Sequence, residues 1–288
     1  MNYSAMIQNR KSVRAFTDKR VPESLLQNIR NYYNTSVKRL LPQLETELYL
    51  FSEDAKEALE GAAGYNQFLV GAPHYLVLLS KPHALAAINA GYIMEDLILN
   101  LTDMDLDSCW VTFTDSQQIK EALKIPSHLD VVAIAAFGYG KKTTKRLRLN
   151  IRSMSNVDVV AKHRYMEPKR SIYDMVFLNT WGNIHNLDEH IGFFDDVLWE
   201  AFHAASLSPS YLNRQAYGFV IHDGRISLIR RPDVYTTESD GNLSLGIVLL
   251  HFNSVAENWL GNLYWLFGEE AAKLSLPEGH EVIATCIL

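Results

Sequence analysis

Apolar residues recur along this chain at two spacings, and the changes from one to the other mark out its elements. Helical spacing runs through 84–101 and 243–259, two long amphipathic segments with apolar positions three or four residues apart. Strand-length apolar runs stand at Tyr75-Leu76-Val77-Leu78-Leu79-Ser80-Lys81-Pro82 and at Ile226-Ser227-Leu228-Ile229-Arg230-Arg231-Pro232, each stopped by a proline. Val21-Pro22-Glu23-Ser24 opens a helix, with Pro22 placed where its missing N–H costs nothing. Another helix ends near Ser206, and a strand begins at Tyr217. The expected order is basic turn, helix, strand, helix, strand, long helix, strand, helix, strand, and it runs twice. Strands and helices interleave without tight βαβ spacing, which predicts α+β rather than a doubly wound sheet.

Self-comparison supports the repetition. Ile125-Pro126-Ser127-His128-Leu129-Asp130-Val131-Val132-Ala133 lies on Leu276-Pro277-Glu278-Gly279-His280-Glu281-Val282-Ile283-Ala284 without a gap, a proline turn and then an apolar strand. Helical segments at 117–123 and 269–274 precede them. Leu106-Asp107-Ser108-Cys109-Trp110 parallels Gly261-Asn262-Leu263-Tyr264-Trp265, and Arg10-Lys11-Ser12-Val13 answers Lys169-Arg170-Ser171-Ile172. Four such parallels in one order divide the chain into copy one, 1–150, and copy two, 151–288. The polar, basic segment 141–169 then reads as a connection that packs along both halves. Trp259 and Trp265, around the end of the second long helix, read as core.

Composition changes the picture only by exclusion. The 288 residues carry 27 basic and 33 acidic side chains, a net charge of -6 that provides no global field for nucleic acid. Polar and charged residues are spread throughout the first fourteen positions, so no secretory apolar run is expected there, and no apolar run reaches membrane-spanning length. Cys109 and Cys286 lie in or beside apolar runs without framework spacing, so two buried thiols in a reducing cytoplasm are expected. The ten histidines show no zinc-type spacing, and no metal site is expected. Nucleophile-elbow, phosphate-loop and dinucleotide motifs do not occur.

Chemistry concentrates in three places. Arg10-Lys11-Ser12-Val13-Arg14 offers three cations and a hydroxyl suited to a phosphate. Lys145-Arg146-Leu147-Arg148 follows the turn at Gly138-Tyr139-Gly140, and alternation puts Arg146 and Arg148 on one side of a strand. Ser208-Pro209-Ser210-Tyr211-Leu212-Asn213-Arg214-Gln215 is a loop of hydroxyls and amides suited to a polar planar ligand. Together they resemble the nitroreductase family: its Arg-x-Ser-x-Arg arm at Arg10, Ser12 and Arg14, and its Pro-Ser-x-x-Asn-x-Gln loop at Pro209, Ser210, Asn213 and Gln215. The family's Gly-Leu-Gly-x-x-Trp-like turn corresponds to Asp105-Leu106-Asp107-Ser108-Cys109-Trp110.

The resemblance implies a nitroreductase-like fold in which two copies form an intramolecular pseudo-dimer. It implies an FMN whose phosphate is held by Arg10, Lys11, Ser12, Arg14, Arg146 and Arg148. Trp110, Thr112 and Phe113 would pass near the flavin, the last two standing where the family has smaller residues. Pro209, Ser210, Asn213 and Gln215 would meet it from copy two. Copy one lacks the loop pattern at Asn34-Thr35-Ser36-Val37-Lys38-Arg39, and copy two has Tyr173 for the arm's second arginine. One composite site per chain is therefore expected. The implied activity is ping-pong hydride transfer from NAD(P)H, through FMN, to a nitroaromatic, quinone or similar small-molecule acceptor. No protein nucleophile, acid or base is needed, because the flavin carries the chemistry. The alternative is a flavin-binding protein without turnover. No membrane or nucleic-acid partner is expected, and the fused pair implies a monomer.

Overall fold

A computed structural model describes residues 1–52, 54–64, 69–141, 168–185, 187, 196–268, 271 and 273–288, together with the backbone of 145–153 and 156–163. Copy one follows the expected order: α1 (Tyr3–Asn9), α2 (Glu23–Thr35), β1 (Thr46–Phe51), α3 (Asp54–Leu59), β2 (His74–Ser80), α4 (Ala86–Asp103), β3 (Asp107–Val111), α5 (Ser116–Leu123) and β4 (Asp130–Gly138). Next comes a hairpin, β5 (Lys145–Ser153) and β6 (Asn156–His163), and then β7 (Val176–Leu178). Copy two continues with α6 (Asp196–Ser206), β8 (Tyr217–His222), β9 (Arg225–Arg230), α7 (Glu238–Leu260), β10 (Trp265–Phe267) and β11 (Glu281–Ile287). No helix among the described residues is long and apolar enough to cross a membrane.

Two sheets carry the duplication. One has the order β1-β2-β4-β3 and the other β10-β11-β9-β8-β7. Laying β1 to β4 on β8 to β11 superposes the two orders and leaves β7, parallel to β8, as an added edge. A defect is repeated as well. Leu78 faces Ala133 and Leu79 faces Val131, so Val132 is an extra residue in β4. Leu228 faces Ala284 and Ile229 faces Val282, so Ile283 is the extra residue in β11. A bulge at the same place in both sheets is a feature that two unrelated sheets would not share.

The copies meet through α4 and α7, each buried almost all round its middle turns. Gly91 on α4 and Gly246 on α7 stand equally far ahead of Trp110 and Trp265. A Cβ on Gly91 would lie 2.2 Å from the carbonyl oxygen of Leu243, and one on Gly246 would lie 1.9 Å from that of Ile88. Ile88 and Leu243 are themselves counterparts, so the contact is reciprocal, as in the isologous interface of a two-fold dimer. The backbones approach closely because neither helix places a side chain there. A pair of hydrogen bonds repeats the symmetry: Leu41 N–H donates to Asn89 Oδ1 at 2.9 Å, and Tyr211 N–H donates to Ser244 Oγ at 3.3 Å.

Copy two departs from the expected order in places. No helix separates its first two strands; Asp223 and Gly224, with φ of 45° and 69°, close β8 and β9 into a tight hairpin. Asp-Gly between apolar runs is the sequence signal for such a turn, since both positions need positive φ. Of the helix expected at 269–274, residues 269, 270 and 272 lie outside the described residues, and Lys273 and Leu274 are irregular. The segment read as a connection contains β5 and β6, paired antiparallel, and the expected division at 150/151 falls inside β5. Trp265 is core, but Trp259 is 73% exposed, because the last turn of α7 runs on past the buried stretch that ends at Ala256.

Candidate functional site

The arm begins where α1 stops, with Arg10 N–H still bonded to Met6 C=O. It then runs extended along β3 and the end of β4. Ser12 bridges Ser108, Val13 N–H donates to Ser108 C=O at 2.8 Å, and Thr17 N–H donates to Tyr139 C=O at 2.8 Å. The turn before β3 explains both acidic residues in it. Asp105 takes the left-handed conformation, φ 57°, and Asp107 Oδ2 accepts the Gly140 N–H at 2.9 Å. A Cβ at Gly140 would sit 2.6 Å from that same oxygen, so glycine is required there.

At the centre lies Glu95 on α4, fully buried. It accepts the Trp110 indole N–H at 2.8 Å, contacts His251 Nε2 of α7 at 3.1 Å and has Arg10 Nε at 3.4 Å. Burial alone would raise its pKa, but Arg10, then His251 and Trp110, outweigh burial and hold the carboxyl below its ordinary value. The other His251 nitrogen faces Ala204 C=O at 3.1 Å, so both ring nitrogens address oxygen atoms. Arg10, its side chain 7% exposed, bonds Ser12 Oγ at 3.3 Å. Its Nε and Nη2 are buried without a hydrogen-bond partner.

From copy two comes Lys169, whose ammonium donates to Asn213 Oδ1 at 2.6 Å and Ser208 C=O at 2.9 Å. Burial, and then repulsion from Arg10, pull its pKa down to about 8 against the opposing pull of Glu95. Asn213 also donates to Pro168 C=O at 2.9 Å. Gln215 accepts the Arg170 N–H at 2.8 Å, donates to Ser206 C=O at 2.7 Å and gives its own N–H to Ser210 Oγ at 2.9 Å. These ties hold a strained backbone: Leu212, Asn213 and Gln215 have φ of 48°, 56° and 45°. Left-handed conformations at non-glycine residues persist only where the surroundings over-determine them. Pro209 is buried behind the loop. A cavity of about 240 Å³ is lined by Ser210, Gln215 and Tyr217 of this segment with Arg230, Arg231 and Ser244.

The structure thus gathers Arg10, Ser12 and Trp110 of copy one round Glu95, while Asn213 and Gln215 of copy two hold residues 168–170, of which Lys169 lies within electrostatic range of Arg10 and Glu95. Lys11 and Arg14 are exposed; Arg14 and Arg10 both act electrostatically on Cys109 of β3. Thr112 and Phe113 lie further along, where Thr112 C=O accepts the Gly64 N–H at 2.7 Å and Phe113 bridges Ala63. The Phe113 ring packs on copy one's own core. Among the described residues no hydrogen bond joins either to the 209–215 loop. Arg146 and Arg148 occupy alternate positions on β5, with side chains outside the described residues. Glu95, His251 and Lys169 escaped the sequence reading. The signal for Glu95 was a pair of acids, Glu95 and Asp96, in the middle of a largely apolar helix that contains no basic residue.

The equivalent place in the other half is built differently. Trp265 donates to Asn253 Oδ1 at 2.9 Å, and Asn253 donates to Tyr92 at 3.1 Å. Asp96, the counterpart of His251, is taken up by Tyr3 and Tyr32 hydroxyls at 2.8 and 2.9 Å and by Lys38 N–H at 2.8 Å.

A family model described as "Putative TM nitroreductase" matches residues 2–179. A putative nitroreductase from Thermotoga maritima shares the fold, at TM-score 0.60 and 19% identity, over 100% of this chain and 94% of its own. A nitroreductase family protein from Clostridium novyi (24% identity, TM-score 0.43) covers 49% of this chain and 87% of its own. An FMN-dependent nitroreductase from Clostridium difficile (19%, TM-score 0.41) covers 48% and 87%. No curated protein matches the chain.

Proposed function

The chain belongs to this TM nitroreductase family, and from that premise we propose that it is an FMN-dependent NAD(P)H oxidoreductase with one composite cofactor site. The observation that carries the reading is the buried charge between the copies. Arg10 is a buried cation and Lys169 a half-buried one, His251 faces two acceptors, and the one carboxylate among them, Glu95, is already shared by three partners. With Nη2 of Arg10 unpaired, and its Nε held to Glu95 by charge rather than by a hydrogen bond, the site has donors and positive charge to spare, which fits a phosphate.

In this reading Arg10, Lys11, Ser12 and Arg14 hold the FMN phosphate, joined by Arg146 and Arg148. Trp110, Thr112 and Phe113 supply the copy-one wall. Pro209, Ser210, Asn213 and Gln215 form the copy-two wall, kept in place by their bonds to residues 168–170. Glu95 orients Arg10 and Trp110 together. Bound FMN would supply the two-electron chemistry between NAD(P)H and an electron-poor acceptor such as a nitroaromatic or quinone, by the ping-pong route. The fused pair works as a monomer, because α4 and α7 already bury the contact that two chains would otherwise make.

Purified protein mixed with FMN and dialysed should keep a flavin absorption spectrum at one FMN per chain and oxidise NADPH when a quinone is added. Flavin retained without turnover would reduce the protein to a flavin binder. Failure to retain flavin would overturn the reading.

A further inference from the structure

Lys169 opens the arm of copy two as Arg10 opens the arm of copy one. In a symmetric pair each arm would serve its own site. Here Lys169 lies in the same electrostatic neighbourhood as Arg10 and Glu95, with Nζ on Asn213 Oδ1 and Ser208 C=O of the intact loop. Its two acceptors are neutral oxygens, an amide and a carbonyl, and an ammonium has three N–H donors. One N–H therefore remains, and Arg10, close enough to repel Lys169 electrostatically, has its Nη2 buried without a hydrogen-bond partner. Glu95, the carboxylate that acts on it electrostatically, is already engaged by Arg10, Trp110 and His251.

We propose that both arms of the duplication serve the one composite site, with Lys169 holding the same phosphate anion as Arg10. The proposal rests on the cofactor reading above and adds to it a residue that the repeat comparison would have assigned to the other site. It also accounts for the asymmetry of the two halves: the first cation of copy two's arm is committed to the site of copy one.

A pH signature follows. Lys169 titrates at about 8, and only the protonated ammonium attracts a phosphate, so affinity falls as pH rises through that value. The charged and titratable groups around it are Arg10 after α1, Glu95 on α4, His251 on α7, Tyr217 on β8 and its neighbour Arg170. Glu95 is held low, and burial pushes Tyr217 up to about 12 despite its bond to Ser208, so both lie outside a pH 7–9 window.

The test is FMN affinity, by flavin fluorescence quenching, at pH 7 and pH 9 for the wild-type chain, Lys169→Met and Lys169→Arg, with riboflavin as the ligand lacking phosphate. Wild-type affinity should fall about tenfold over that range. Lys169→Met should be weak at both pH values, Lys169→Arg tight at both, and riboflavin indifferent to all three. A pH dependence that survives in Lys169→Met, or an equal loss for riboflavin, would overturn the proposal. An independent readout is the ¹³Cε resonance of Lys169 titrated with and without inorganic phosphate, which should raise its pKa. A wild-type chain that binds no FMN sinks the cofactor reading, and an unmoved Lys169 resonance sinks the anion role.

Discussion

Trp110 and Trp265 occupy equivalent places after the two long helices, yet the first gives its indole N–H to a buried carboxylate and the second to a neutral carboxamide. Around Trp110 the acid gathers Arg10 and His251; around Trp265 Asn253 passes its own N–H to Tyr92. A few residues away, Gly91 and Gly246 touch each other's helices in the same manner. The halves have stayed alike where backbone packs against backbone and have diverged where charge is placed. Steric contact tolerates little change on either side. A hydrogen bond can exchange its acceptor, provided no buried donor is left unpaired.

Breaking the symmetric part should cost most. Gly91→Val and Gly246→Val each drive a side chain into a carbonyl that cannot yield, and each should destabilise by about 4 kcal/mol or more in urea unfolding. Similar losses are expected from both; a tolerated change at one of them would show that the contact is not reciprocal in energy. The asymmetric part should separate the halves. Glu95→Gln leaves Arg10 and His251 without their anion and should cost about 3 kcal/mol, whereas Asn253→Ala should cost about 1–2 kcal/mol. Because Glu95 is held below its ordinary value of 4.5, its contribution is present above that pH and fades as pH falls toward the lower folded value. Glu95→Gln should flatten that acid limb, and equal losses at the two positions would erase the distinction. The smallest effect belongs to the loop. Leu212 is half exposed at φ 48°, so Leu212→Gly should stabilise by about 0.5–1 kcal/mol. Destabilisation there would mean that the side chain packs usefully despite its backbone.

The duplication was legible because its marks are local. Pro82 and Pro232 after strands, the two tryptophan units and the proline turns before β4 and β11 each follow from short-range rules, and all three pairs stand at matching places in the two sheets. The hairpin at Asp223-Gly224 obeyed such a rule too, but the copy-one pattern, with its helix between the strands, was carried over in its place. Other elements depend on partners far along the chain. Residues 176–178 are too short a run to announce a strand and are one through their pairing with β8, while β5 and β6 lie in a basic segment whose alternation of Leu147, Leu149 and Ile151 with Arg146, Arg148 and Asn150 was outweighed by its polar, linker-like composition. The candidate site was half legible. Arg10, Ser12, Trp110, Asn213 and Gln215 stand in recognisable motifs, whereas Glu95, His251 and Lys169 owe their roles to the crossing of α4 and α7. No spacing within one copy records that crossing.

The reciprocal contact of Gly91 and Gly246 has a hereditary side. When two identical chains meet on an axis, every substitution near it arrives twice, so an acid introduced on one side faces a second acid on the other. Joined in one gene, the two sides are copied as separate codons, and each can change without its twin. Asp96 and His251, five positions beyond their glycines, are such a pair: an acid and a base at places that a homodimer would have to fill alike.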